Sequence, residues 1–389
     1  MDNFTGPIHY PSSSGYDRAR LPWNLAVNPR PAIVAEAANV ADVQAAVRAA
    51  EKRELPLSVQ ATGHGTLVPY TGILLTTSRL NQVRIDPHRR EALVGAGALW
   101  SDVIAAAAPY GLAPLSGTPW IGVTGYTTGG GAGWLSRKYG LAADSLVSAQ
   151  IVTSDGELRR AEDDLLWALR GGSGNFGVVT ELTLRLFPVD RVVAGMTFHP
   201  IDRAPAILAA FDDLDQPDSL NTAVILAGPT VIIRTVAVDG AERALEPLLA
   251  AAGTPLQGGL APMTFQEAGT ALAPEHPPTA IHSRFEMVER LPVDALLGSA
   301  AQGIEIRRWG GAMGRSDSPA GGNLAVPFSV MSSEPMEVPG ATGGTFLNFL
   351  MDPERTASAY NAADHARLRE LKKWWDPDAL FRPSHFLGE

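Results

Sequence analysis

Apolar runs and helical spacings alternate near the start of the chain and predict strands and helices in turn. Apolar runs at 32–35 and 55–60 predict strands, and the valines at positions 40, 43 and 47 mark one helical face between them. Asn39 followed three residues later by Asp42 resembles a helix N-cap box. The order predicts a strand–helix–strand unit that ends in the Gly-containing loop at 62–65.

The next segments continue this pattern and add an antiparallel component. A strand at 92–95 is followed by a predicted helix at 100–110, which Gly111 closes with a left-handed cap. The segment 147–159 carries a Ser-Asp-Gly turn between two strand-like runs and predicts a hairpin. Even positions of 178–186 are apolar or threonine, while odd positions carry a glutamate and an arginine, which predicts a strand with two different faces.

Beyond Pro188 the composition changes, and we expect a second domain with a mostly antiparallel sheet. Many Gly, Pro and Ser residues at 315–344 predict a long loop or pair of loops rather than a core element. The expected fold class is α+β, with domains at 1–188 (completed by 370–389) and 189–369. The second domain has strand patterns at 223–227, 231–238, 305–309 and 345–350 and helical stretches near 204–214 and 241–252.

Composition excludes several classes of function. With 45% hydrophobic and 19% charged residues in 389, the chain is expected to fold by itself. Its 31 basic and 41 acidic residues give a net charge of −10, which disfavours a nucleic-acid partner. It has no cysteine, so disulfides, thiolate metal sites and cysteine nucleophiles are excluded, and we expect no metal.

The sequence also gives no support for export or membrane insertion. The first twenty residues lack the charged and apolar regions of a secretory signal, and no apolar run approaches 18 residues. We therefore expect a cytoplasmic protein with no membrane partner, and the sequence leaves the oligomeric state open.

Glycine is concentrated in two segments, GVTGYTTGGGAGWLSRKYGLAAD at 122–144 and GGSGNFG at 171–177. Neither fits the dinucleotide fingerprint or the P-loop. Glycines allow backbone amides to approach an anion closely, so the segments suit a pyrophosphate, although tight turns between strands explain either one alone.

Four motifs in this order are similar to those of the berberine bridge enzyme-like flavoproteins, within the vanillyl-alcohol oxidase superfamily. They are ATGHG at 61–65, the two glycine segments with the following VVTEL, and WDPDALFR at 375–382. The resemblance covers roughly 25–188 and the last twenty residues. It implies a two-subdomain FAD-binding domain of the vanillyl-alcohol oxidase type, with FAD as cofactor. It also implies an FAD-linked oxidase or dehydrogenase that acts on a small-molecule substrate, with a role in natural-product tailoring as one expectation.

His64 occupies the place of the histidine whose ring nitrogen is bonded to the flavin 8α-methyl carbon in such enzymes, so the resemblance implies a covalent link. A hydrogen-bonded loop histidine is the alternative. Many members have a second link through a cysteine, and Thr118 stands at that position here. The cofactor-binding residues implied by the resemblance are Gln60, Ala61, Thr62, Gly63, His64, Gly65, Thr118, Gly122, Gly125, Tyr126, Gly129, Gly130, Gly133, Gly174, Gly177 and Val179.

The catalytic pattern departs from the family. The usual Tyr-x-Asn-Tyr strand reads Phe-Leu-Asn-Phe at 346–349, so the expected tyrosine base is missing. Glu305 and Arg307, on one face of a predicted strand, are candidates for a base and a positioning arginine, or for a simple salt bridge. His282 and Tyr70 are further candidates, and Asn348 is expected to orient substrate or flavin.

Two other features bear on the activity. Ile121 resembles the family position that gates oxygen, which favours a dehydrogenase over an oxidase, although a core isoleucine explains it equally well. Trp120, Tyr126 and Trp134 are candidates for an aromatic substrate pocket. Because the base is missing, two alternatives stay open: a flavoprotein that catalyses a non-redox cyclisation or isomerisation, and an inactive FAD-binding relative.

Overall fold

A computed structural model describes residues 1, 3–299 and 303–388, and within these residues the strands form sheets of four, five, two and seven strands. The strands are, in chain order, β1 (Ile8–His9), β2 (Ile33–Glu36), β3 (Leu57–Gln60), β4 (Ile73–Thr76), β5 (Val83–Asp86), β6 (Glu91–Gly95), β7 (Leu112–Ala113), β8 (Leu146–Val152), β9 (Leu158–Ala161), β10 (Val178–Arg185), β11 (Phe187–Pro188), β12 (Arg191–Pro200), β13 (Leu220–Ala227), β14 (Thr230–Ala237), β15 (Gln257–Thr264), β16 (Arg284–Val288), β17 (Ile304–Arg308) and β18 (Phe328–Ser332).

The helices lie between these strands, and several short 3-10 turns accompany them. They are α1 (Tyr16–Arg20), α2 (Val40–Lys52), α3 (Trp100–Ala107), α4 (Val123–Thr128), α5 (Ser136–Tyr139), α6 (Asp163–Leu169), α7 (Ala204–Asp212), α8 (Glu246–Ala252), α9 (Phe265–Leu272), α10 (Val293–Gly298) and α11 (Ala362–Trp375). None of them, in the part of the chain that the structure describes, has the length and hydrophobicity needed to cross a bilayer.

The first sheet has the order β1-β2-β4-β3, and β2, β4 and β3 run parallel. Helix α2 covers it with Val43 and Val47, which join the same buried core as Ile33. The Asn39 side chain accepts a hydrogen bond from the Asp42 amide at 3.0 Å, so the predicted N-cap and strand–helix–strand unit are confirmed.

The second sheet is antiparallel, in the order β5-β6-β10-β8-β9. The predicted hairpin is its β8–β9 pair. Leu182 and Leu184 of β10 are buried, Glu181 is half-buried and Arg185 is exposed, as the alternation predicts. Gly111 has φ 64°, which confirms the left-handed cap after the predicted helix.

The seven-stranded sheet has the order β15-β12-β14-β13-β17-β18-β16, and all its pairs are antiparallel, which confirms the expected α+β character. Helices α7 and α8 cover one face, where Ile207, Phe211 and Leu248 pack against Val224 and Ile306. The opposite face carries the charged side chains of Arg234, Glu305 and Arg307, which matter for the site described below.

Two predictions for this domain are wrong. The segment 345–350 is not a strand: Leu347–Phe349 forms a 3-10 turn, because the Asn348 side chain binds the backbone of the glycine segment instead of extending along a sheet. The segment 315–344 is not wholly loop, since it contains β18, which lies inside the sheet between β17 and β16. Buried Phe328 and Val330 alternate there, and the surrounding glycines, prolines and serines hide this short period-two pattern.

After α11 the chain returns to the first sheet. The Leu57 amide donates to the Leu380 carbonyl at 2.8 Å, and the Arg382 amide donates to the Leu57 carbonyl at 2.9 Å. The buried ammonium of Lys372 binds the Asp376 carboxylate and donates to the carbonyls of Asn175 and Phe381, so it ties helix α11 to both the second glycine segment and the C-terminal turn.

Candidate active site

A large cavity lies where the loop after β3, helix α4, the start of β10 and the C-terminal segment meet. Its empty volume is about 1500 Å³, including the part open to solvent. Ligand pockets typically measure roughly 300–1,000 Å³, so this first cavity has room for a large cofactor. Of the residues predicted to bind the cofactor, those that line it are Gln60, Ala61, Thr62, Gly63, His64, Gly65, Gly122, Gly125, Tyr126, Gly129, Gly174, Gly177 and Val179.

Three predicted cofactor residues do not line this cavity. Gly130 has φ 113°, and a Cβ there would lie 2.8 Å from the Ala320 Cβ and from the Phe346 ring, so packing, not ligand contact, requires the glycine. Thr118 and Gly133 line a second cavity instead. The pattern of glycines in the sequence does not distinguish these roles.

His64 lies in the wall of the first cavity with its ring held on two sides. It stacks on Trp23, with ring centroids 4.2 Å apart and planes 16° from parallel, and its Nδ1 lies 2.9 Å from Thr62 Oγ1. Burial lowers the pKa of His64 to about 4. The imidazole is therefore neutral at pH 7, and one ring nitrogen carries a free lone pair.

Helix α4 leaves open space on its cavity side. Gly125 is exposed, and a Cβ added there would meet no atom within 4 Å; the same holds for Gly65. Thr124, which also lines the cavity, has a buried hydroxyl oxygen with no hydrogen-bond partner in the described structure. A bare backbone beside an unpartnered hydroxyl is a surface suited to a bound ligand.

The second cavity has an empty volume of about 780 Å³ and lies between helix α4 and the charged face of the seven-stranded sheet. Ile121, Tyr126 and Phe349 line both cavities. Trp134 and Trp309 add apolar rings, whereas the predicted Trp120 does not line it and donates its Nε1 hydrogen to the Ala273 carbonyl. The two cavities therefore adjoin across three side chains.

Comparisons with known proteins agree with this geometry. A family profile described as "FAD binding domain" matches residues 31–162. The chain is 36% identical over 205 residues to (R)-6-hydroxynicotine oxidase of Paenarthrobacter nicotinovorans and 32% identical over 203 residues to berberine bridge enzyme-like 25 of Arabidopsis thaliana, matches that cover 50% and 48% of this chain and only 45% and 38% of those relatives. The fold of Physcomitrella patens BBE-like 1 superposes with a TM-score of 0.86 at 21% identity, covering 98% of this chain and 96% of that one. The chain therefore contains an FAD-binding domain and is similar, over about half of its length, to berberine bridge enzyme-like proteins.

FAD is the cofactor of this protein, and the first cavity fits it. The fit rests on the bare glycine surface of α4, the unpartnered Thr124 hydroxyl and the neutral His64 imidazole. The residues that would hold FAD are the loop at 60–65, the glycines of α4, the second glycine segment and the C-terminal turn with Ser384 and His385.

Glu305 is not suited to act as a base. Burial alone would raise the pKa of Glu305, but the charges of Arg307 and Arg234 and their hydrogen bonds lower it to about 2. Arg307 Nε donates to Glu305 Oε1 at 2.7 Å, and Arg234 donates to the same oxygen. Since a general base works best with a pKa near the operating pH, this carboxylate serves as an ion-pair partner, which corrects the proposed base.

The remaining candidates lie in two cavities. Asn348 lines the first cavity, where its Oδ1 accepts from the Gly131 amide at 2.7 Å and its Nδ2 donates to the Tyr126 carbonyl at 3.2 Å, so its amide holds the glycine segment. Tyr70 also lines it, with its hydroxyl 3.1 Å from Ser384 Oγ. His282 lines a separate neighbouring cavity beside Arg284, away from the cavity that Arg307 lines.

Three residues of the site were not predicted from the sequence, namely Arg234, Ser384 and His385. His385 lines the first cavity, and burial lowers its pKa to about 4 while its Nδ1 lies 3.0 Å from Thr356 Oγ1. A signal existed for Arg234, because it is the one charged residue in the otherwise apolar or threonine strand β14. Ser384 and His385 follow the WDPDALFR motif, but their approach to the cavity depends on a chain reversal that the local sequence does not show.

Proposed function

We propose that this protein is an FAD-dependent oxidoreductase that removes a hydride from a small organic substrate bound in the second cavity. The single observation that carries the proposal is that Ile121, Tyr126 and Phe349 line both cavities, so a substrate in the second cavity lies beside the contents of the first. When bound, FAD supplies the capacity to accept two electrons.

We further infer that FAD is covalently linked through His64. Its support is local: Trp23 and Thr62 fix the ring, and the low pKa keeps the imidazole neutral, as a nucleophilic nitrogen must be. The absence of cysteine from the chain leaves the histidine as the single attachment of the kind expected from the resemblance.

The residues of the second cavity bind and orient more than they move protons. Its described lining contains neither a carboxylate nor a histidine. The Tyr126 hydroxyl is buried without a hydrogen-bond partner in the described structure, and burial raises the pKa of Tyr126, so it stays protonated. Aromatic walls exclude water around it.

Ile121 bears on the electron acceptor. Its half-buried side chain stands between the cavities, where a branched residue restricts the space open to a small molecule. We therefore propose a dehydrogenase that transfers electrons to an acceptor other than oxygen. A natural-product role and a cytoplasmic location stay predictions of the sequence.

The link to His64 is tested by acid precipitation of the purified protein. We expect the wild-type pellet to stay yellow and the mass to exceed that of the bare chain by one FAD, whereas a His64→Ala variant releases its colour. A His88→Ala variant, altered at an exposed histidine, serves as the matched control and keeps its colour. A colourless wild-type pellet refutes the link, and a protein that takes up no flavin refutes the function.

Catalysis is tested by anaerobic titration with small organic compounds after photoreduction has shown that the flavin is redox-active. Bleaching of the oxidised flavin band on adding a substrate supports hydride removal. Turnover without bleaching identifies the non-redox alternative, and a library that neither bleaches the flavin nor is converted identifies the inactive one.

A further inference from the structure

The register of the seven-stranded sheet places two arginines on either side of one small residue. Ala223 of β13 is opposite Arg234 of β14 and also opposite Arg307 of β17. Neighbouring strands lie about 4.8 Å apart, so the two arginines start roughly 10 Å apart with only a methyl group between them. The small side chain leaves room for both guanidinium groups to lean toward each other.

Glu305 joins the two arginines from below the cavity. Its Oε1 accepts from both, and only 13% of its side chain is exposed, against 24% for Arg234 and 28% for Arg307. Arg307 and Arg234 line the second cavity, and Glu305 does not. The three groups together carry one positive charge, and no carboxylate among the described lining residues balances it. Arg308 also lines the cavity, but its guanidinium donates to the carbonyls of Phe211 and Asp212.

Both arginines keep hydrogen-bond donors for a ligand. Arg307 uses Nε for Glu305, and its two terminal nitrogens make no hydrogen bond within residues 3–299 and 303–388. Neither arginine has a side-chain nitrogen that is both buried and without a hydrogen-bond partner, so their unbonded N–H groups are accessible to a ligand. Aromatic rings support the guanidinium groups, with Arg307 4.6 Å from the centre of the Phe349 ring and Arg234 5.7 Å from that of Trp134.

We propose that Arg234 and Arg307 form a binding site for a substrate carboxylate, and that the substrate of this enzyme is an aromatic or similarly flat carboxylic acid. This inference rests on the proposed function, because it places the acid beside the cofactor cavity. The net charge of one on Glu305, Arg234 and Arg307 together matches a monoanionic carboxylate, whereas a phosphate dianion would carry a second negative charge that these three groups do not balance. A planar carboxylate also matches the fork of guanidinium donors.

The aromatic part of the substrate follows from the other walls. Trp134, Trp309, Tyr126 and Phe349 surround the space in front of the arginines, and rings of this kind pack flat apolar groups. Glu305 is then a positioning residue, which holds the two arginines together and limits the net charge to one. A cationic amine is excluded from this position by the same charge.

The probe for the test is 2-naphthoate, with 2-naphthamide as its neutral analogue, titrated into the purified protein by calorimetry and followed by the flavin difference spectrum. We expect naphthoate to bind about 10- to 100-fold more tightly than the amide, as charged hydrogen bonds predict. Arg234→Met and Arg307→Met should each reduce this preference by about tenfold, while exposed Arg160→Met, the matched control, leaves it unchanged.

Glu305→Gln separates the positioning role from simple folding damage. This variant raises the local charge by one, so naphthoate affinity should be kept or increased and should depend more steeply on salt. The proposal is overturned if naphthoate and naphthamide bind equally, if neither binds, or if the arginine variants retain the preference. Because calorimetry needs no redox chemistry, naphthoate binding without any bleaching of the flavin by carboxylic acids would refute the proposed oxidation and leave the anion site standing.

Discussion

Replacement of Gly125 by leucine tests the first cavity as the cofactor site. Gly125 lies inside helix α4, has no left-handed backbone conformation, and has open space where a Cβ would be. Replacing a glycine inside a helix by a residue with a side chain stabilises the helix by roughly 0.5–1 kcal/mol. The folded chain should therefore tolerate leucine.

The substitution should instead weaken the binding of FAD. The leucine side chain would extend into the cavity that His64 and the glycine segments line. Overpacking of a filled site costs about 1–3 kcal/mol, so noncovalent FAD binding should weaken by about 5- to 150-fold. In the His64→Ala background, flavin can be removed and returned, which allows affinity and stability to be measured on the same protein.

The assay combines an FAD titration with urea unfolding of the flavin-free protein. We expect weaker FAD binding and a free energy of unfolding within about 1 kcal/mol of the parent. Gly130→Ala should instead lower the free energy of unfolding, because Gly130 has a left-handed backbone conformation and a side chain there would collide with Ala320. Unchanged FAD affinity in the Gly125→Leu variant would refute the location of the cofactor.

Two further predictions concern proton binding and oxygen. The pKa of His385 is about 4 in the folded protein and near 6.5 in the unfolded chain, so the unfolded chain binds more protons between these values and the free energy of unfolding should fall as the pH drops from about 6.5 to 4. In urea unfolding, His385→Gln should make the free energy of unfolding less dependent on pH in this range. An unchanged dependence would contradict the burial of His385 as the cause. Ile121→Val should increase the rate at which oxygen reoxidises the reduced flavin, whereas the rate with a dye acceptor should not change to match. Stopped-flow absorbance measures both rates, and equal changes in the two would rule out a gating role for Ile121.

The parts of the fold that were predictable have local causes. The N-cap at Asn39, the left-handed Gly111 and the alternation in β10 each depend on residues a few positions apart, and each is present in the structure. Strand β18 was missed because its five residues lie among turn-forming ones, and its place depends on pairing with β16 and β17 rather than on its own pattern.

In the candidate active site, too, residues in contiguous motifs were predictable and contacts between distant residues were not. The glycine segments and His64 are contiguous motifs, and the structure brings most of them to one cavity. The role of Glu305 could not be read from the sequence, because it depends on Arg234, which lies 71 positions away and two strands across the sheet. Sequence alternation put Glu305 and Arg307 on one face, but only the register showed the second arginine that lowers the carboxylate pKa.

A tryptic digest of the purified protein tests the covalent link between FAD and His64 most directly. Cleavage after Arg53 and Arg79 releases the peptide 54–79, in which His64 is the single histidine. We expect this peptide to fluoresce as a flavin and to carry the mass of one FAD, located to His64 by fragmentation. Recovery of the peptide at its unmodified mass, or of flavin on another peptide, would contradict it.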